Sequence, residues 1–137
     1  MGKVIVTLQL TNFSDLILQR AKARKAKPRH VRVEALVDTG ATRLYLKPSV
    51  IEKLGLERTR KILSRTTNGS VERHKDSEVS LELLGRSGTF QVVEIPEDVP
   101  NLVGQVPLEV LDLLVDPKGQ KLIGNPEHGG VQMTEEY

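Results

Sequence analysis

The chain has 137 residues, a formal net charge of +2, no cysteine and no tryptophan. That length suits one domain, and the missing thiols exclude disulfide staples, zinc–thiolate sites and a cysteine nucleophile. With 38% hydrophobic, 28% charged and only 3% aromatic residues, the chain has the composition of a folded protein whose core is built from Val, Leu and Ile, which favours strands and leaves few stacking surfaces for nucleic-acid bases.

In chain order, Val4, Val6, Leu8 and Leu10 alternate with Ile5, Thr7 and Gln9, so Lys3 to Thr11 reads as a half-buried strand. The segment carries no apolar signal core and no later run reaches membrane-spanning length; a cytoplasmic protein without a membrane partner is expected. Asn12 to Pro28 is polar and basic, a long connection or short helix outside the core. Arg20, Lys22, Arg24, Lys25, Lys27, Arg29 and Arg32 put seven positive charges into thirteen residues with no acid among them. A solvated loop is the simplest reading of such a block, and nucleic-acid binding through it, lacking a motif, is a minor alternative.

Val31, Val33, Ala35 and Val37 resume an extended pattern over His30 to Val37, ending at Asp38-Thr39-Gly40, where glycine permits a sharp turn. A short strand is expected around Arg43 to Leu46. Pro48 then opens a short helix through Leu54 and Gly55 ends it. Lys61 to Thr67 and Ser70 to Lys75 flank Asn68-Gly69, the signature of a type I′ hairpin turn. Ser77 to Leu84 and Thr89 to Ile95 suggest a second hairpin around Gly85-Arg86-Ser87-Gly88. Leu102-Val103-Gly104 reads as a short buried strand, followed by a helix over 107–114 with Leu108, Leu111 and Leu114 on its core face. Asp116 to Gly119 turns the chain into a last strand, Lys121 to Ile123, and a tail, Gly124 to Tyr137, without usable periodicity. A weak internal repeat relates Leu36-Val37-Asp38-Thr39-Gly40 and the helix after it to Leu102-Val103-Gly104 and the helix after that.

Chemistry concentrates in Leu36-Val37-Asp38-Thr39-Gly40-Ala41-Thr42. This segment resembles the active-site motif of retropepsin-like aspartic proteases. The glycine-containing hairpin at Asn68-Gly69 and the later Leu102-Val103-Gly104 with its helix follow in the order that family shows, so the resemblance spans roughly Val31 to Ile123. It implies an all-β fold, a closed acid-protease barrel with a flap hairpin and one principal helix. The protease domain would cover residues 1–123, with the basic loop of about 13–29 inserted and a tail of 124–137.

Peptide hydrolysis needs a nucleophilic water and a polarised carbonyl, and two carboxylates sharing one proton serve as base and acid together. The chain offers one aspartate in this setting, because Asp15, Asp76, Asp98, Asp112 and Asp116 lack the Thr-Gly that follows Asp38. The resemblance therefore implies a homodimer in which each subunit supplies its Asp38 at a two-fold axis. It further implies that Thr39 bonds across the axis, that Gly40 admits close approach of substrate backbone, that Ala41 and Thr42 complete the loop, that Asn68 and Gly69 tip the flap, and that Gly104 is the second-motif glycine. Retroviral enzymes carry an acid at the position of Thr42 and an arginine at that of Gln105; here both are neutral, so no orphan charge is left. Arg43 stands where those enzymes often have another acid, and Ala41 lacks the hydroxyl of the pepsin-like serine.

His30, His74 and His128 are far apart with no carboxylate at ligand spacing, so solvated histidines and no metal site are expected. The serines lack a nucleophile elbow and there is no phosphate loop. The expected function is peptide-bond hydrolysis without a cofactor, on a peptide or protein substrate. A catalytically inactive dimeric peptide-binding module of the same fold is the alternative.

Overall fold

The computed structural model describes residues 3–133; positions 1, 2 and 134–137, at the ends of the expected domain and tail, lie outside the described residues. The elements are β1 (Ile5–Asn12), α1 (Phe13–Arg20), β2 (His30–Val37), β3 (Leu44–Leu46), α2 (Pro48–Leu54), β4 (Arg58–Thr66), β5 (Gly69–Leu83), β6 (Arg86–Glu94), β7 (Leu102–Val103), α3 (Gln105–Leu111), β8 (Leu113–Asp116), β9 (Lys121–Gly124) and a 3₁₀ turn at Pro126–His128. The fold is all-β in class, and its three short α-helices are the two expected after Pro48 and after Gly104 together with α1, in the segment read as a long connection or short helix. Among the described residues no helix is long and apolar enough to cross a membrane.

Period-two patterning does what it should in β1: Leu8 and Leu10 are fully buried while Ile5 faces out. β1 pairs antiparallel with β2 along its length and, at its end, with β5, so the order β1-β2-β7-β3-β6-β5 closes into a ring with β4 flanking β5. Two pairings in the ring are parallel, β2 with β7 and β3 with β6. Leu8, Leu44, Leu46, Leu81, Val92 and Val103 fill the interior without solvent exposure, each such aliphatic side chain contributing about 1.5–3 kcal/mol by leaving water. α2 is bounded as its sequence indicates: Pro48 starts it and Gly55, at φ 66°, ends it in the left-handed conformation.

Both hairpin turns differ from expectation. Thr66 pairs with Gly69, so Thr67 and Asn68 form the loop; neither has positive φ, and Gly69 takes φ 107° as the first residue of β5. The Thr66 hydroxyl selects this form by accepting from the Asn68 N–H (3.2 Å) and donating to the Gly69 carbonyl (2.7 Å). The turn with two left-handed residues is instead Leu84-Gly85, at φ 52° and 75°, closing β5 onto β6 in two residues rather than the four-residue Gly85 to Gly88 loop. β5 is also a single 15-residue strand where two were expected, with a register shift between Asp76 and Glu78.

The helix expected over 107–114 runs from Gln105 to Leu111 and stops at Asp112, which adopts φ 57°. Leu108 and Leu111 are buried as expected, whereas Leu114 lies in β8 and is 45% exposed. Asp112 is held there by contacts remote in sequence: its carboxylate accepts from Asn125 Nδ2 and the Met133 N–H and pairs with the His128 ring. His128 is thus part of a packed network rather than solvated. The tail packs back on the body, Gln132 Nε2 donating to the Val110 and Ser87 carbonyls, both at 3.0 Å.

The basic segment is only partly a solvated loop. Asn12 caps α1 by accepting from the Asp15 N–H, and Asp15, buried, receives Nε and Nη2 of Arg29 at 2.8 and 2.9 Å with Arg24 3.4 Å away. Hydrogen bonds from Arg29 outweigh burial and hold the Asp15 carboxyl at about 2.

Candidate active site

β2 delivers Asp38 to the end of a strand clamped on both sides. The Val37 N–H donates to the Val4 carbonyl and the Asp38 N–H to the Val103 carbonyl, each at 2.9 Å. Leu36 and Val37 lie beside Leu102 and Val103 in parallel register, so the two halves of the weak sequence repeat are spatial neighbours. Beyond β2 the chain turns sharply, the Ala41 N–H donating to the Asp38 carbonyl (3.1 Å) and the Gly40 N–H to Asp38 Oδ1 (3.0 Å). Asp38, Thr39, Gly40 and Thr42 are exposed and Ala41 is half-buried. Among the described residues, the only hydrogen bond to the Asp38 carboxylate comes from its own loop.

The start of α3 fixes that loop. A helix begins with unpaired N–H groups, and Gly104 has no side chain to cap them. The Gly104, Gln105 and Val106 N–H groups instead donate to the carbonyls of Arg43 (2.8 Å), Ala41 (2.8 Å) and Thr42 (2.9 Å). The approach is close enough to require glycine: a Cβ at position 104 would lie 2.6 Å from the Arg43 oxygen and 2.7 Å from the Ala41 oxygen, both backbone atoms. Gly104→Ala should therefore destabilise the protein by about 1–3 kcal/mol, as overpacking does, and displace the Asp38 loop. A urea midpoint equal to wild type would show that the loop yields freely. Where viral enzymes are expected to set an acid against an arginine, Gln105 Nε2 turns to Glu109 on its own helix (3.1 Å) and Thr42 contributes its carbonyl.

Asp38, Thr39, Gly40, Ala41, Thr42 and Gly104 are thus brought together. Asn68 and Gly69 are not part of that cluster; they stand at the tip of the β4–β5 hairpin, where a Cβ on Gly69 would meet nothing within 4 Å. Among the described residues no group of three or more His, Asp or Glu side chains is placed to hold a metal ion.

A second carboxyl pair lies at the base of the same hairpin, which the sequence did not reveal because its burial arises from strand pairing. Asp76 is fully buried, and neither of its oxygens has a hydrogen-bond donor among the described residues. Its neighbour is the Glu94 carboxylate, which Arg58 engages through Nε (2.9 Å) and Nη2 (3.0 Å). Burial, then the Glu94 carboxylate, push the Asp76 carboxyl up to about 7. Burial would also raise Glu94, but the hydrogen bonds from Arg58 oppose it, and Glu94 is held below its ordinary value. A proton on Asp76 spares the buried site an unpaired negative charge.

Because folded Asp76 binds its proton more tightly than the unfolded chain does, its contribution is complete below the ordinary carboxyl pKa and declines as pH rises through about 7. Wild-type protein should therefore lose stability between about pH 5 and about pH 8, by roughly 1–3 kcal/mol, the cost of a buried polar group without a partner. Asp76→Asn, whose amide donates at any pH, should flatten that slope. Identical urea midpoints for the two proteins at both pH values would exclude a protonated Asp76.

Among solved structures, the EIAV protease complexed with the inhibitor HBY-793 is similar to this chain at a TM-score of 0.53 and 16% identity, the match covering 78% of this chain and 86% of that one. At that identity the likeness shows the fold. No curated protein sequence matches the chain. A family model described as aspartyl protease matches residues 25–124, taking in the Asp38 loop, the β4–β5 hairpin and the Gly104 turn, and the chain, with the fold of a retroviral protease, therefore belongs to the aspartyl protease family.

Proposed function

We propose that the chain is one subunit of a homodimeric aspartic endopeptidase in which the Asp38 carboxylates of two copies form the catalytic pair. The observation that carries this reading is a single, exposed Asp38, presented at a strand end, with no second carboxylate bonded to it among the described residues. Two such carboxylates sharing one proton behave as a unit, because adjacent like charges cannot both ionise easily.

The ionised member removes a proton from water as its oxygen attacks the scissile carbonyl carbon, and the protonated member gives its proton to the carbonyl oxygen. The tetrahedral diol then collapses: one carboxyl protonates the leaving nitrogen, the other takes the proton of a diol hydroxyl, and the C–N bond breaks, restoring the one-proton pair. Substrate binds extended between the Asp38 loops and the β4–β5 hairpins, its alternate side chains entering pockets on either side. Gly69 and Asn68 form the tip of that flap, and the positive φ at Gly69 is a backbone conformation that a β-branched residue resists, although the space around it is open. The reaction requires no cofactor.

Incubation with a mixed peptide library, followed by mass spectrometry of new termini, tests the proposal. Cleavage within peptides is expected. Saturable binding of peptides with no new termini would replace the enzyme with a dimeric peptide-binding module.

A further inference from the structure

We infer that the substrate is an acidic peptide, read by a cationic wall that the inner face of the β4–β5 hairpin forms with Arg43 of the Asp38 loop. The inference rests on the proposed protease function and on that hairpin being the flap.

Strand register divides the hairpin into two faces. Arg60 stands opposite Lys75, Ile62 opposite Arg73 and Ser64 opposite Val71 on one; Lys61 opposite His74, Leu63 opposite Glu72 and Arg65 opposite Ser70 on the other. Burial tells which face turns toward the body. Ile62, Ser64, Val71 and Arg73 are half-buried and Lys75 is only 4% exposed, whereas Lys61, Arg65, Ser70 and Glu72 are exposed and Leu63 is 76% exposed; Arg60, toward the base of the first face, is itself exposed, and His74 on the second is half-buried. The inner face therefore carries three cations, Arg60, Arg73 and Lys75, and no acid.

Two features make this arrangement costly without a ligand. Arg60 and Lys75 are directly opposed, and like charges at a cross-strand position destabilise a sheet. Register aligns Lys75 with Val93 and Val93 with Tyr45 across the sheet, two residues from Arg43; burial lowers the pKa of Lys75, and the positive charges of Arg43 and Arg60 lower it further. Nearby carboxylates do not cancel the charge. Glu94 is taken by Arg58 and sits beside Asp76. Glu78 lines a cavity of about 360 Å³ together with Arg43, yet the two form no ion pair. An extended peptide under the hairpin offers alternate side chains to this face, and a carboxylate among them would relieve the repulsion that the free protein bears.

Matched peptides with one apolar scissile pair and either Glu, Gln or Lys at each flanking position provide the test. The Glu peptide should be cleaved with kcat/KM about tenfold or more above its Gln counterpart at low salt, and the advantage should shrink as salt is raised. Arg60 is exposed, so Arg60→Glu leaves the core untouched; it should move the preference from Glu toward Lys, which a merely structural arginine would not do. Cleavage of all three peptides at similar rates would overturn the inference and leave the protease reading standing. If no peptide is cleaved but fluorescent Glu peptides bind more tightly than Gln peptides, the cationic wall stands and the protease reading falls. Preferential binding of a single-stranded oligonucleotide over a peptide of equal charge, lost in Arg60→Glu, would assign the surface to nucleic acid and overturn the inference.

Discussion

Asp38→Asn should abolish peptide hydrolysis while leaving the fold and the proposed dimer in place. The side chain is exposed and accepts one hydrogen bond, from the Gly40 N–H at 3.0 Å, which the asparagine oxygen keeps. The urea midpoint should accordingly stay within about 0.5 kcal/mol of wild type. The amide can neither take a proton from water nor share one with a partner carboxylate, so both acid and base functions are lost. General acid–base catalysis contributes roughly 10²–10⁴-fold, and kcat should fall by at least that factor on whichever peptide the library screen selects. Turnover near the wild-type rate would reject Asp38 as the catalytic group, whatever the family.

Local signals were read correctly where one stretch of chain decides the outcome. β2 ends at Val37 because Val31, Val33 and Ala35 keep a two-residue period up to the Asp-Thr-Gly turn, and α2 runs from Pro48 to Leu54 because proline fits the first helical position and Gly55 accepts positive φ. The turn after Asp38 and the close backbone approach at Gly104 follow from the same kind of local signal, a glycine at or just after a strand end. What failed was decided at a distance. Leu114 left the helix because Asp112 is gripped by Asn125, His128 and Met133. The type I′ turn formed at Leu84-Gly85, where inward-facing Leu81 and Leu83 fix the strand register, and not at Asn68-Gly69, where the Thr66 hydroxyl imposes another turn. Asp76, an ordinary acid in sequence, became a buried carboxyl only through pairing of β5 with both its neighbours. In the same way, the cations of the hairpin were invisible as a group until register set Arg60 opposite Lys75.

Activity should also depend on dimer concentration and be poisoned by inactive subunits. The chain carries a single Asp-Thr-Gly, and the proposed chemistry requires two carboxylates, so each must come from a different copy. On dilution below the dimerisation constant, specific activity should fall, as for any obligate assembly under mass action. Mixing supplies a sharper measurement, because it leaves total protein high. Wild-type subunits equilibrated with Asp38→Asn subunits are drawn into heterodimers holding one carboxylate and one amide, which cannot share a proton. With random exchange and equal affinities, a roughly ninefold excess of the variant leaves about a tenth of wild-type subunits in competent pairs, and activity per wild-type subunit should drop about tenfold. Equal affinity is a fair premise because the substitution is isosteric and keeps the Gly40 bond. Gel filtration of the mixture confirms that the dimer persists, separating poisoning from dissociation. Activity that stays proportional to wild-type subunit concentration, both on dilution and on mixing, would mean that each chain works alone, and the second proton-bearing group would then have to be sought within the same subunit.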